Sequence, residues 1–246
     1  MNKTAIEWCD YTWNPVTGCK HGCPYCYARK IAERFKGSKA WPKGFEPMFH
    51  PERLNDPAKL KRMHSIFVCS MADLFGKWVP QDWIDEVLYA AARTTGQVFI
   101  FLTKDPANMV EKVDDWRDTR GLNEAKSQLW FGTTITCEND AHRLDELKQM
   151  PTRNLFVSFE PLLDNLGRAE IDPNGIKGYI IGAQTAPTIA PDPYVVESLV
   201  VDIINAGGTA FLKDSLVDTE SWSRCLATVG NGRELRSTPW IQPEKS

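Results

Sequence analysis

Val98-Phe99-Ile100-Phe101-Leu102-Thr103-Lys104-Asp105-Pro106 holds the rhythm of the whole chain in one short run. Val98–Thr103 is a nearly unbroken stretch of β-branched, aromatic and aliphatic residues, as expected of a strand covered on both faces. Lys104 places an amine at its C-terminal end. Asp105-Pro106 then reads as a helix cap followed by a first-turn proline, and the helix continues through Met109 and Val110.

The same unit recurs in both directions. Ile66–Ser70, Leu129–Thr134, Leu155–Phe159, Tyr179–Gly182 and Thr209–Leu212 are further strand candidates, with a short one near Ile6–Trp8. The six main strands end roughly 23 to 33 residues apart, the length of a strand with its crossover helix. Ile84, Val87, Leu88 and Ala91 repeat at i, i+3, i+4, i+7 between Pro80 and Gly96, and Val196, Leu199, Val200 and Ile203 repeat likewise before Gly207-Gly208. A further helix runs through Ala141, Leu144 and Leu147. After Phe159 the breakers Gly167, Asp172, Pro173 and Gly175 argue against a long helix. The expectation is an α/β fold with about six parallel strands in a complete or partial (β/α) barrel, a doubly wound open sheet being the rival. Residues 1–246 read as one domain, with an insertion at about 36–62 and an irregular tail at about 214–246. Either architecture puts function at the C-terminal ends of strands.

Composition narrows the class. With 42% hydrophobic and 25% charged residues, the chain is an ordinary globular protein. Its apolar runs are too short for a membrane span, and Met1–Asp10 lacks the layout of a signal peptide, so the cytoplasm is expected. A net charge of −3 gives no global attraction to nucleic acid. Seven cysteines, an odd number, argue against a disulfide framework. Cys9, Cys69, Cys137 and Cys225 are scattered and read as packing residues.

The other three cysteines lie together in Gly18-Cys19-Lys20-His21-Gly22-Cys23-Pro24-Tyr25-Cys26-Tyr27-Ala28-Arg29, spaced C-x3-C-x2-C. Pro24 suits the first turn of a helix through Tyr27, Ile31 and Phe35, whose amides would help stabilise thiolate charge. Cys19, Cys23 and Cys26 form a three-ligand metal loop. An electron-carrying iron–sulfur cluster has four cysteines, so three leave one iron open. A zinc site completed by Cys9 or His21 is the competing reading, within a non-enzymatic module that binds nucleic acid.

This spacing, with an aromatic residue before the third cysteine, resembles the signature of the radical S-adenosylmethionine superfamily. Glu7-Trp8, Tyr11-Thr12-Trp13-Asn14-Pro15-Val16-Thr17-Gly18-Cys19, Ser70-Met71-Ala72-Asp73-Leu74-Phe75, Leu102-Thr103-Lys104, Val157-Ser158-Phe159-Glu160-Pro161-Leu162-Leu163 and Phe211-Leu212-Lys213 are similar to a phage-associated branch with a three-cysteine motif. The gap between the first two cysteines is longer in many members of that branch. The resemblance implies a [4Fe–4S] cluster on Cys19, Cys23 and Cys26. S-adenosylmethionine would be chelated at the open iron, with Tyr25 near its adenine. Asp73 stands where the superfamily often has Gly-Gly-Glu for the methionine amino group. Thr134, Thr136, Glu138 and Gln184 are candidates for further cofactor contacts, and Glu160, Lys213 and Lys104 for catalysis. A lyase or transferase is implied, with flavodoxin or ferredoxin as reductant.

Trp8, Trp13 and Trp41, with Lys36, Lys39, Lys43, His50 and Arg53, could form a surface that stacks bases and meets phosphates. Buried aromatics explain the tryptophans equally well. The substrate expected is a nucleobase or nucleic acid.

Overall fold

The computed structural model describes residues 1–120, 128–166, 172–185, 187–217, 219–230, 232 and 235–240, and it is an α/β protein. Eight strands form one sheet in sequence order: β1 (Asn2–Lys3), β2 (Tyr11–Trp13), β3 (Ser65–Val68), β4 (Val98–Thr103), β5 (Gln128–Thr134), β6 (Leu155–Phe159), β7 (Gly178–Ile181) and β8 (Thr209–Leu212). Tyr11 pairs in parallel with Ile66, Ser65 with Val98, Phe131 with Leu155, Phe156 with Gly178, and Gly178 with Thr209. Strand β1 is antiparallel to β2, Asn2 facing Thr12. The six main strands all appear. β3 stops at Val68 because Cys69 takes a left-handed φ of 57° and turns the chain out of the ladder.

Complete barrel closure, one of the two expected forms, is absent among the described residues. The strand order runs from β1 at one edge to β8 at the other, with antiparallel β1 beside β2. The short strand expected near Ile6–Trp8 is instead Tyr11–Trp13, and Cys9 N–H bonds back to the Ile6 carbonyl in a turn. Gly167 lies outside the described residues.

The helices are α1 (Tyr27–Arg34), α2 (Gln81–Arg93), α3 (Pro106–Arg120), α4 (Arg143–Leu147), α5 (Pro193–Asn205) and α6 (Glu220–Val229). None among the described residues is long and apolar enough to cross a membrane. Helix α6 corrects the expected irregular tail. Thr219 caps its first turn, and Gly230 closes it at a left-handed φ of 75°; residues 241–246 lie outside the described ones. The insertion carries Met48–Phe49, which pairs antiparallel with Val16–Thr17, followed by 3-10 turns at Pro51–Arg53 and Pro57–Lys59.

The chain divides into two compact units, Met1–Trp130 and Phe131–Ser246. In the first, Ile84, Val87, Leu88 and Ala91 of α2 are fully buried, as are Phe99 and Ile100 of β4. Each of the larger aliphatic side chains contributes about 1.5–3 kcal/mol by leaving water. In the second, Phe156, Val157, Ile180 and Ile181 are fully buried, and Phe159 stacks on Tyr179 at 6.1 Å. Cys9, Cys69 and Cys225 are buried in packing positions.

Candidate functional site

The cysteine loop is anchored by its first glycine. Gly18 has φ 85°, and a Cβ there would fall 2.3 Å from the Glu46 carbonyl oxygen, so no other residue fits. Its N–H donates to the Met71 carbonyl, and Cys19 N–H to that of Phe45. At the other end, Cys26 N–H bonds to the Cys23 carbonyl. Cys26 itself caps α1, its thiol accepting from Arg29 N–H at 3.4 Å. The helix thus begins at Tyr27, and Pro24 lies in the loop rather than in the expected first turn. Arg29 Nη2 donates to the Cys19 carbonyl at 3.0 Å, its guanidinium lying over the Phe45 ring.

All three thiols are half-buried. Cys19 and Cys26 pack against Ala28, Ala32 and Phe45, alongside Trp41 and Met71. Burial pushes the Cys19 thiol up to about 12, and the charges of Asp73, Cys23 and Cys26 add to the effect against a hydrogen bond from the His21 backbone. Cys23 and Cys26 thus both lie close enough to Cys19 to act on it. Among the described residues, no three His, Cys, Asp or Glu side chains are gathered into a compact metal-binding group. The fourth zinc ligands considered from the sequence are engaged elsewhere: the Cys9 thiol points to the Ile6 carbonyl, and His21 Nε2 meets Asp73.

Asp73 is 5% exposed and ties this region together. Its Oδ1 accepts from Thr103 Oγ1 at 2.7 Å and Phe75 N–H at 3.1 Å. Its Oδ2 accepts from Lys104 N–H at 2.9 Å and lies 2.7 Å from His21 Nε2. An ionised carboxylate only accepts, so Nε2 carries the proton. Burial raises the Asp73 carboxyl, but the His21 bond and charge, then the Lys104 and Thr103 bonds, hold it below its ordinary value. With four donors, its lone-pair positions are filled by protein. Lys104 Nζ donates to Tyr25 Oη at 3.2 Å and sits 5.5 Å from the centre of that ring. The His21 ring also meets Trp78 edge-on at 4.8 Å. Cys19, Cys23, Cys26, Tyr25, Asp73 and Lys104 thus share the first unit, while the remaining expected site residues lie in the second.

There, Thr136 gives its N–H and hydroxyl to Asp140 Oδ2 at 3.0 and 2.8 Å, and the Thr134 carbonyl accepts from Arg143. Glu138 is exposed in a 3-10 turn. Lys213 Nζ donates to Glu160 Oε1, past Gly182, where a Cβ would approach Lys213 Cδ at 3.0 Å and Glu160 Cγ at 3.3 Å. The Glu160–Pro161 peptide is cis. Gln184 Nε2 donates to the Pro187 carbonyl in the hairpin of Gln184–Thr185 and Thr188–Ile189.

Sequence reasoning missed Asn14. Its Oδ1 accepts from Met71 N–H and Ser70 Oγ, and its carbonyl from Arg53 Nη1, so it joins the end of β2 to the turn after β3. The Asn14-Pro15 turn signal was the clue available. Asn14, Thr12, Thr17, Trp41, Arg53 and Met71 line a cavity of about 360 Å³. Trp8 and Trp13 are 2% and 0% exposed, core residues and not a stacking surface.

A family model described as "Protein of unknown function (DUF5131)" matches residues 3–233. No curated protein and no solved structure matches the chain.

Proposed function

The chain belongs to the DUF5131 family, and we propose that it is a radical S-adenosylmethionine enzyme. The observation that carries this reading is the loop itself. It presents three half-buried thiols at C-x3-C-x2-C spacing, locked at one end by Gly18 and at the other by the start of α1. Soft donors without any carboxylate in Gly18–Arg29, an apolar backing and the nearby Arg29 suit an anionic, sulfide-rich group. Cys19, Cys23 and Cys26 would hold a [4Fe–4S] cluster, which would supply one-electron reductive cleavage of S-adenosylmethionine and so hydrogen abstraction from the substrate.

The chain's own residues hold and orient. Tyr25 offers its ring to the adenine, steadied by Lys104. Asp73, already supplied with four donors, acts as a positioning residue for His21 and Lys104 and leaves the cofactor's amino group to other acceptors. In the second unit, Thr134, Thr136, Glu138 and Gln184 are assigned to the cofactor. Glu160 and Lys213 are assigned to the substrate, because a paired amine and carboxylate can pass a proton either way. On this reading the parallel sheet is that of a partial (β/α) barrel. The substrate is a nucleobase or nucleic acid, and the reductant a flavodoxin or ferredoxin.

Anaerobic purification with iron, sulfide and zinc analysis tests the proposal. Cys23→Ala is expected to lose iron, sulfide and dithionite-driven formation of 5′-deoxyadenosine, with far-ultraviolet circular dichroism unchanged. Stoichiometric zinc with no acid-labile sulfide in the native chain would overturn the proposal and favour the zinc module.

A further inference from the structure

Helix α1 turns its small residues inward and its large ones outward. Ala28 and Ala32 are 4% and 0% exposed, whereas Tyr27, Ile31 and Phe35 are 52%, 40% and 50% exposed. Positions i, i+4 and i+8 follow one side of a helix, each step rising about 6 Å. Lys30 and Arg34, also exposed, lie on the adjoining side, three and seven residues after Tyr27. Tyr27 is held in place by its hydroxyl, which donates to the Ser70 carbonyl at 2.9 Å. The Arg34 guanidinium sits 5.6 Å from the centre of the Phe35 ring.

Charge along this segment opposes that of the chain. From Lys20 to Lys43 there are seven Lys and Arg residues against one acid, Glu33, in a chain of net charge −3. Lys20, Lys36, Lys39 and Lys43 are exposed. Glu33 lies 3.9 Å from Lys36 Nζ and can offset only one of the seven charges at a time.

We propose that α1 and the segment after it form a docking strip for single-stranded nucleic acid, with Tyr27 and Phe35 stacking on bases and Lys30, Arg34 and the following lysines meeting phosphates. Aromatic platforms alternating with cations are what a sequence-tolerant single-strand groove requires. Charge alone would serve an acidic protein as well, but the exposed aromatic rings of Tyr27 and Phe35 beside the cations favour bases. The strip gives the proposed substrate class a surface, and to that extent it rests on the proposed function. Binding itself needs no cluster.

The test titrates the full chain with fluorescein-labelled oligothymidylate, measuring iron and sulfide on the same samples. Binding is expected at low salt, with log K falling against log[salt] at a slope of about −2 to −3 for three or four phosphates. Tyr27→Ala and Phe35→Ala are each expected to weaken it about fivefold or more, and the double change Lys30→Glu, Arg34→Glu by more again. Circular dichroism checks the fold of each variant, whose altered side chains are all exposed. Absence of binding at low salt, or binding untouched by all these changes, overturns the strip. So does a strip that binds flavodoxin but not oligothymidylate. Strip-dependent binding by a chain free of iron and sulfide supports the strip while overturning the radical reading, so the two failures are distinguishable.

Discussion

Asp73 shows what a residue's type reveals and what it leaves hidden. Its place after a strand marks it as a functional group. Its four donors come from a loop fifty-two residues away in sequence, from β4 and its end, and from its own turn. Their convergence belongs to the fold. Removing the carboxylate would take away the acceptor that the Thr103 hydroxyl and the Lys104 and Phe75 amides share in a buried place. Each such loss costs about 1–3 kcal/mol. Asp73→Ala is therefore expected to lower unfolding stability by about 3 kcal/mol or more, read from urea denaturation of the metal-free chain. A change below about 1 kcal/mol would show that water reaches these donors. Gly18 was legible only as a member of the motif; that no side chain fits there depends on the Glu46 carbonyl.

At the scale of elements, legibility followed periodicity. Helices α2 and α5 present four apolar residues each at helical spacing; these are the buried set of α5, and in α2 they are buried together with Ala90 and Ala92. Helix α6 escaped detection because its two buried positions are Ser221 and Cys225, neither of which stands out as apolar in sequence. The cap expected at Asp105 is present, its Oδ1 accepting from Asn108 N–H at 3.2 Å, and the structure adds another not expected from the sequence. Asp192 precedes Pro193, and its Oδ1 accepts from Tyr194 N–H at 2.9 Å. Asp192→Ala should therefore cost about 1 kcal/mol, seen as a lower urea midpoint with an unchanged slope. Helix α1 was expected from the residues after the cysteines, but its orientation was not: a neighbouring Phe45 takes the alanine face and leaves the large side chains outside.

At the scale of the molecule, the acid limb of stability depends on carboxylates held below their ordinary values. Bonds from Lys148, then Asn174, hold Asp172 at about 2, and bonds from Thr228 and Arg224 hold Glu197 low. For such groups the unfolded chain binds protons more readily, so their contribution is complete above the ordinary carboxylate value and is lost as pH falls through the folded one. Stability should therefore decline between about pH 4 and pH 2, and Asp172→Asn should shallow that decline slightly, because the group is exposed and screened. Urea midpoints of both chains across that window check it.

The sequence by itself determined the six main strands, most helices, their parallel α/β character and the three-cysteine loop. These follow from side-chain direction and hydrogen-bond spacing, which act over a few residues. Tertiary structure decided the order of strands in the sheet, that Asp73 is saturated, that Trp8 and Trp13 are core and that α1 faces outward with its aromatics. Each of those depends on which distant segment occupies the neighbouring space, and no local pattern encodes that occupancy.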